Sequence, residues 1–286
     1  MGICNADQYQ LAERRAMEQE FQWLLTQRIP KVISSAQRSL MLVSLQSPKP
    51  GTGGQNSSGA LSTDSQIHLH DTKTGEDVGE ITVSGAAVTH LSLLLPIGAN
   101  TQPTRRTTTR LKKDETLPLR QAEEAQSYIR SAVKKAQLMP QLDSSSEALD
   151  LVENILGDIK RARQILAIGS QQELMPLQSN SIEKFAPALP ENLVIECRLK
   201  DGSIVVHLYF LKFRRAVKSA GGILDAFKKD STAGHMLVHN GRLAEVKQEL
   251  VFQASLSSVA HDLDKLDHAA SLLIDVVGQL RAFDSI

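Results

Sequence analysis

Cysteine is nearly absent: Cys4 and Cys197 are the only two in 286 residues. A disulfide framework needs more, and without a CxxC pair neither a zinc site nor a thiol-redox centre is indicated. Aromatic residues are scarce, at 4% with a single Trp, so few large rings are on hand to anchor a core or a partner. Neither sign of charge dominates, with Lys+Arg and Asp+Glu at 32 each. That removes the global attraction by which basic chains hold nucleic acid or anionic membranes. It also leaves little repulsion between copies. No apolar run approaches the length of a membrane span, and no basic-then-apolar leader precedes a cleavage site. A cytoplasmic chain is expected. In the N-terminal MGICNA, Ala6 stands where a myristoylation signal carries Ser or Thr, so an unmodified terminus is expected.

What the chain does contain is periodic. Over residues 7–45, Phe21, Leu25, Ile29, Val32, Ala36, Leu40 and Val43 recur every three or four positions and form one apolar stripe. Pro30 lies inside it, which predicts a kink or a break. Residues 47–59 are Gly, Ser, Pro and Asn and read as a flexible linker; no Gly-Lys-Ser/Thr follows to make a phosphate loop. The period then changes to two. Ile67 and Leu69, Glu80 to Val83, and Val88 to Pro96 predict an antiparallel meander with one buried face. Residues 97–117, with Arg105, Arg106, Arg110, Lys112 and Lys113, read as a solvated basic loop without interleaved aromatics.

Helical spacing returns at 119–139 through Ala125, Ile129, Ala132, Ala136 and Met139, and Pro140 ends it. Ser144 stands three residues before Glu147 as a capping box for the next helix, which runs through Ala148, Val152, Ile155, Ile159, Ala162 and Leu166 to a stop at Gly169. Residues 193–199 and 203–211 are apolar strands joined by an Asp201-Gly202 turn. Residues 214–234 read as loop with a short helical piece, 235–239 as a short strand, Asn240-Gly241 as a turn, and 246–254 as a further strand. Ser255 is placed to cap a last helix. In that helix Leu256, Leu263, Ala270 and Val277 take one heptad position, and Val259, Leu266, Leu273 and Leu280 the other.

Each helix has one apolar stripe to bury, so the expected fold is α+β. A four-helix antiparallel bundle from 1–46, 118–170 and 255–286 accompanies an antiparallel β domain from 60–117 and 184–254. Residues 171–191 are an expected inter-domain joint. There Pro187 and Pro190 stiffen the backbone and Phe185 and Leu189 anchor it.

Chemistry is sparse. His68 and His70 share a strand face as a metal pair would, but no further ligand accompanies them. His235 and His239 read as surface residues, and Cys197 as a small apolar strand residue. Asp262, Asp264 and Asp267 read as solvated charges. No catalytic residue, cofactor site or metal site is expected.

Two segments resemble a known family. FAPALPENLVIECRLKDGSIVVHLYFL at 185–211 and ERRAMEQEFQWLL at 13–25 are similar to the Rogdi leucine-zipper family. That resemblance implies an elongated two-domain, non-enzymatic protein, the small subunit of a RAVE-like complex that promotes assembly of the vacuolar-type proton ATPase. The implied partners are large rabconnectin-type (Dmx-like) and WD-repeat subunits and the peripheral sector of the ATPase. The implied place is the cytoplasm beside acidic organelles or synaptic vesicles, with the nucleus or nuclear envelope as a further one. Two other readings compete. One is a zipper protein self-associating through the heptad seam, against which a monomer is expected. The other is a ligand-binding β domain drawing on His68, His70 and the basic cluster.

Overall fold

The computed structural model describes residues 5–43, 66–96, 106–139, 142, 144–168, 182–213, 236–239 and 242–284. Cys4, the linker 47–59, Arg105, Pro140, Gly169, the first part of the 171–191 joint, residues 214–234, His235 and Asn240-Gly241 lie outside them. The chain divides into two compact units, Met1–Val43 with Glu124–Gln164 and Asp262–Ile286, and Ser44–Glu123 with Ile165–His261.

The first unit is helical. Helix α1 (Asn5–Trp23) passes through a π-helical turn (Leu24–Arg28) into α2 (Ile29–Met41). Pro30 explains the turn. A proline ring collides with the carbonyl four residues back in a regular α-helix. Here the turn widens, and the Ile29 N–H bonds to the Leu24 carbonyl five residues back. The chain therefore stays helical through Pro30 instead of breaking, and Leu24, Leu25, Ile29, Val32, Ile33, Ala36 and Leu40 are buried on one side.

The other helices are α3 (Arg120–Gln137), α4 (Ser145–Ile168) and α5 (Ser257–Asp284). The Ser144 hydroxyl accepts the Glu147 N–H at 3.3 Å, the first half of the expected capping box. Four helical segments pack together. Phe21 meets Phe283 at 5.6 Å between ring centres, and Lys265 Nζ donates to the Leu42 carbonyl at 2.6 Å. As α1–α2 ascends, α5 therefore descends. Arg281 pairs with Glu153, and Arg163 with Asp267, so α4 and α5 are antiparallel too. Lys135 pairs with Asp158 and Arg161 lies over Tyr128, which sets α3 against α4. The result is an up-down-up-down bundle. The small buried residues of α3, Ala125, Ala132 and Ala136, allow close approach.

The second unit is a ten-stranded antiparallel sheet ordered β6-β4-β3-β2-β1-β10-β8-β7, with β5 paired to β3 and β9 to β10. Its strands are β1 (Ile67–Asp71), β2 (Asp77–Ser84), β3 (Ala87–Pro96), β4 (Arg106–Leu111), β5 (Leu117–Pro118), β6 (Phe185–Ala186), β7 (Leu193–Lys200), β8 (Ser203–Phe213), β9 (Met236–His239) and β10 (Arg242–Ser255). The expected meander is β1 to β3. The fold class is as expected.

Three local expectations are corrected. The basic stretch is not a loop from end to end: residues 106–111 form β4, between β3 and β6. Thr109 and Leu111 point inward and are buried, while Thr108 and Arg110 point out. Threonine is polar by composition but β-branched in shape, so it suits a strand. Ser255 does not cap α5. It pairs with Ser203 in the sheet, and the helix starts two residues later. Asp262 is not solvated. It is wholly buried, with Lys265 Nζ at 3.1 Å.

Candidate functional site

The heptad residues come first. Val259, Leu266, Leu273 and Leu280 are buried to 2% exposure or less, and so is Leu256. Leu263 is half-buried, and Ala270 and Val277 are 8% exposed. Between the two heptad rows, Asp262, Ala269 and Val276 are at 0%. The inward face is therefore centred on the second row and runs through 262, 269 and 276, one residue before the first row. A polar residue at an inward position is invisible to a count of apolar repeats, so such a count leaves Asp262 on the solvent side although it faces inward.

The proline segment belongs to the second unit. Phe185 and Leu189 are buried at 1% and 4%. Phe185 pairs with Leu111, and the Pro187 carbonyl accepts the Thr109 hydroxyl at 2.9 Å. The Pro190 carbonyl accepts the Leu193 N–H at 3.0 Å and leads into β7. Between β7 and β8 the tight turn appears as expected, with φ of 45° at Asp201 and 74° at Gly202.

The edge strand β7 has an unforeseen partner. Gln121, 7% exposed at the start of α3, donates from Nε2 to the Leu199 carbonyl at 3.2 Å and accepts the Leu199 N–H on Oε1 at 2.6 Å. One side-chain amide thus replaces the peptide group of a missing neighbour strand. An uncovered edge would present these two groups to any passing strand. Nearby, the Asp201 N–H donates to the Ala167 carbonyl at 3.0 Å and satisfies a late carbonyl of α4.

Beside this edge, the register of β10, β8 and β7 builds a polar face. Gln253, Val205 and Arg198 lie in one row, and Val251, His207 and Glu196 in the next. The opposite face carries Phe252, Val206, Leu208 and Ile195, all buried at 1% or less. Cys197 is on that apolar side, and burial pushes its thiol up to about 12, with Glu196 adding to the shift. It is thus no thiolate nucleophile near neutrality. On the polar face Glu196 pairs with Arg198 at 2.7 Å, and His207 Nδ1 lies 2.7 Å from Glu249. Tyr209 stacks on His207 with ring centres 5.8 Å apart. Burial, then Glu196, raises its phenol above the ordinary value.

A cavity of about 400 Å³ opens here. Val205 and Val251 floor it, Ile168 walls it, and Arg198, Lys200, His207, Thr72, Gln121 and Gln253 supply its polar groups. His68 and His70 are elsewhere: His68 Nδ1 meets Asp77 at 2.8 Å, and all three side chains are exposed. Among the described residues no three His, Cys, Asp or Glu side chains gather where they could hold a metal ion. None of the described helices is long and apolar enough to cross a membrane.

Likeness to known proteins decides the family. Residues 20–271 match the family model described as Rogdi leucine zipper containing protein. The chain belongs to the Rogdi leucine zipper family. It is 26% identical over 204 residues to "Protein rogdi homolog" of Pongo abelii, covering 70% of this chain and 69% of that one. The Homo sapiens protein of the same name is 25% identical over the same shares. The Danio rerio protein is 24% identical over 238 residues, 80% of this chain and 77% of that one. The matched span takes in parts of both units. Within it lie the heptad helix up to Ser271, the Gln121 clasp and the proline segment.

One titration belongs to the second unit. His239, expected at the surface, is instead buried at 4% exposure, with Phe213 tilted against it at 6.1 Å. Burial lowers it below its ordinary 6.5. The sign follows: the folded chain holds this ring neutral, while the unfolded chain protonates it below about 6.5. Acid therefore favours unfolding from 6.5 downward, and no effect is expected above it. Urea unfolding of His239→Gln should lose less stability than the parent between about pH 7 and pH 5. Equal losses would contradict this assignment.

Proposed function

We propose that this chain is a non-catalytic adaptor subunit of a RAVE-like complex that promotes assembly of the vacuolar-type proton ATPase. Membership of the Rogdi family carries the reading. It is supported by the division into two units, which suits a part that joins other proteins. Its partners would be rabconnectin-type and WD-repeat subunits and the peripheral sector of the ATPase. Its location would be cytoplasmic, with recruitment to acidic organelles through those partners.

The competing reading is a self-associating zipper. Burial of Val259, Leu266, Leu273 and Leu280 within one chain supports a monomer instead, because the seam already has its partners. Affinity capture of the tagged full chain from its own cells tests the adaptor role. Rabconnectin-type subunits and peripheral ATPase subunits should be recovered together. Abundant, clean captures lacking both would overturn it.

A further inference from the structure

The 400 Å³ cavity of the sheet unit lies within the size range of ligand sites, and the adaptor role makes no use of it. Its lining contains two permanent cations, Arg198 and Lys200, and no carboxylate. Glu196, just behind the lining, takes one charge by pairing with Arg198 at 2.7 Å. Glu249 is committed to His207. Of the two lining cations, Arg198 is thus shared with Glu196, and Lys200 stands exposed. Below the cations the surface is aliphatic, through Val205, Val251 and the 67% exposed Ile168. Opposite them Gln253 and Thr72 add neutral polar groups.

We propose that this cavity binds a monovalent carboxylate on an apolar stem, with Lys200 and Arg198 holding the carboxylate and Val205, Val251 and Ile168 covering the stem. The Glu196 carboxylate beside Arg198 argues against a phosphate dianion, whose second charge it would repel. The aliphatic floor argues against a small inorganic anion, which would strand that surface in water. The Ala167 carbonyl, which would repel an anion, is occupied by the Asp201 N–H. The same chemistry could come from a small organic acid or from a Glu side chain between aliphatic residues in a peptide. The inference does not depend on the ATPase assembly role.

Methyl-resolved NMR of the full chain, labelled at Ile and Val, tests it. Hexanoate should shift Ile168, Val205 and Val251 saturably, and inorganic phosphate should not. Hexanamide, which keeps the stem without the charge, should bind about tenfold more weakly or worse. Lys200→Met should weaken hexanoate by about the same factor without disturbing the remaining spectrum, since Lys200 is exposed. A blocked Val-Glu-Val peptide separates the sources. Tighter binding than hexanoate indicates a protein segment, and weaker binding a small acid. No saturable shift with either probe, or equal binding of hexanamide and hexanoate, would overturn the proposal.

Discussion

Leu273→Asp should unfold the helical bundle. Leu273 is wholly buried in the centre of α5. Truncating such a leucine costs about 2–5 kcal/mol through lost transfer energy and the cavity left behind. A carboxylate in its place adds a desolvation cost of several kcal/mol more. The sum is comparable to the whole stability of a typical domain, about 5–15 kcal/mol. The neighbouring Ile274 is 48% exposed, so Ile274→Asp makes the matched control, with an expected change of about 0.5 kcal/mol or less. The only tryptophan, Trp23, lies in the bundle unit, so its fluorescence reports on that unit during urea unfolding. The zipper reading expects something different, because there Leu273→Asp would separate a dimer into folded chains. A folded Leu273→Asp monomer obtained from a dimeric parent would contradict the bundle account.

Gln121→Leu should cost about 2–6 kcal/mol in the sheet unit. The substitution keeps the volume and removes both hydrogen bonds to Leu199. The Leu199 N–H and carbonyl are then left buried without partners, at about 1–3 kcal/mol each. Gln121→Glu keeps the acceptor for the N–H but sets a buried carboxylate oxygen against the Leu199 carbonyl, and should cost at least as much. Hydrogen exchange at the Leu199 amide reads the effect locally. Its protection should drop far more than that of amides in β2 and β3. Unchanged protection at Leu199 would show that the clasp does not hold the edge.

Much of this architecture was legible in the sequence, for physical reasons that can be named. The 3–4 spacing in α4 and its Ser144 cap follow from the helical period and from the orphan N–H groups of a helix start. The Asp201-Gly202 turn follows from the need for two positive φ values. The strands flanking it follow from the apolar residues concentrated on both sides of that turn, such as Leu193, Val194, Ile195, Ile204, Val205 and Val206. Strand β4 was hidden because its inward residues include Thr109, which a hydrophobicity count scores as polar. Asp262 was hidden for the opposite reason: an apolar heptad count skips a polar residue that faces inward beside Lys265. The Gln121 clasp has no local signal, since a glutamine ahead of a helix looks like any exposed one until β7 arrives as an edge. The cavity is likewise a product of register. Residues 72, 121, 168, 198–200, 205, 207, 251 and 253 meet only once β1, β10, β8 and β7 are aligned. The family resemblance lies in residues 13–25 and 185–211 themselves, and the second segment folds as a buried Phe185, a tight turn and two paired strands in one run.

The measurement that bears most directly on the adaptor role is the fraction of ATPase peripheral sector bound to membranes. It should be taken in cells depleted of this chain and in the same cells re-expressing it. The account predicts a lowered membrane-bound fraction and a less acidic lumen on depletion, with both restored by the full chain. An unchanged fraction and unchanged lumenal pH after complete depletion would contradict it.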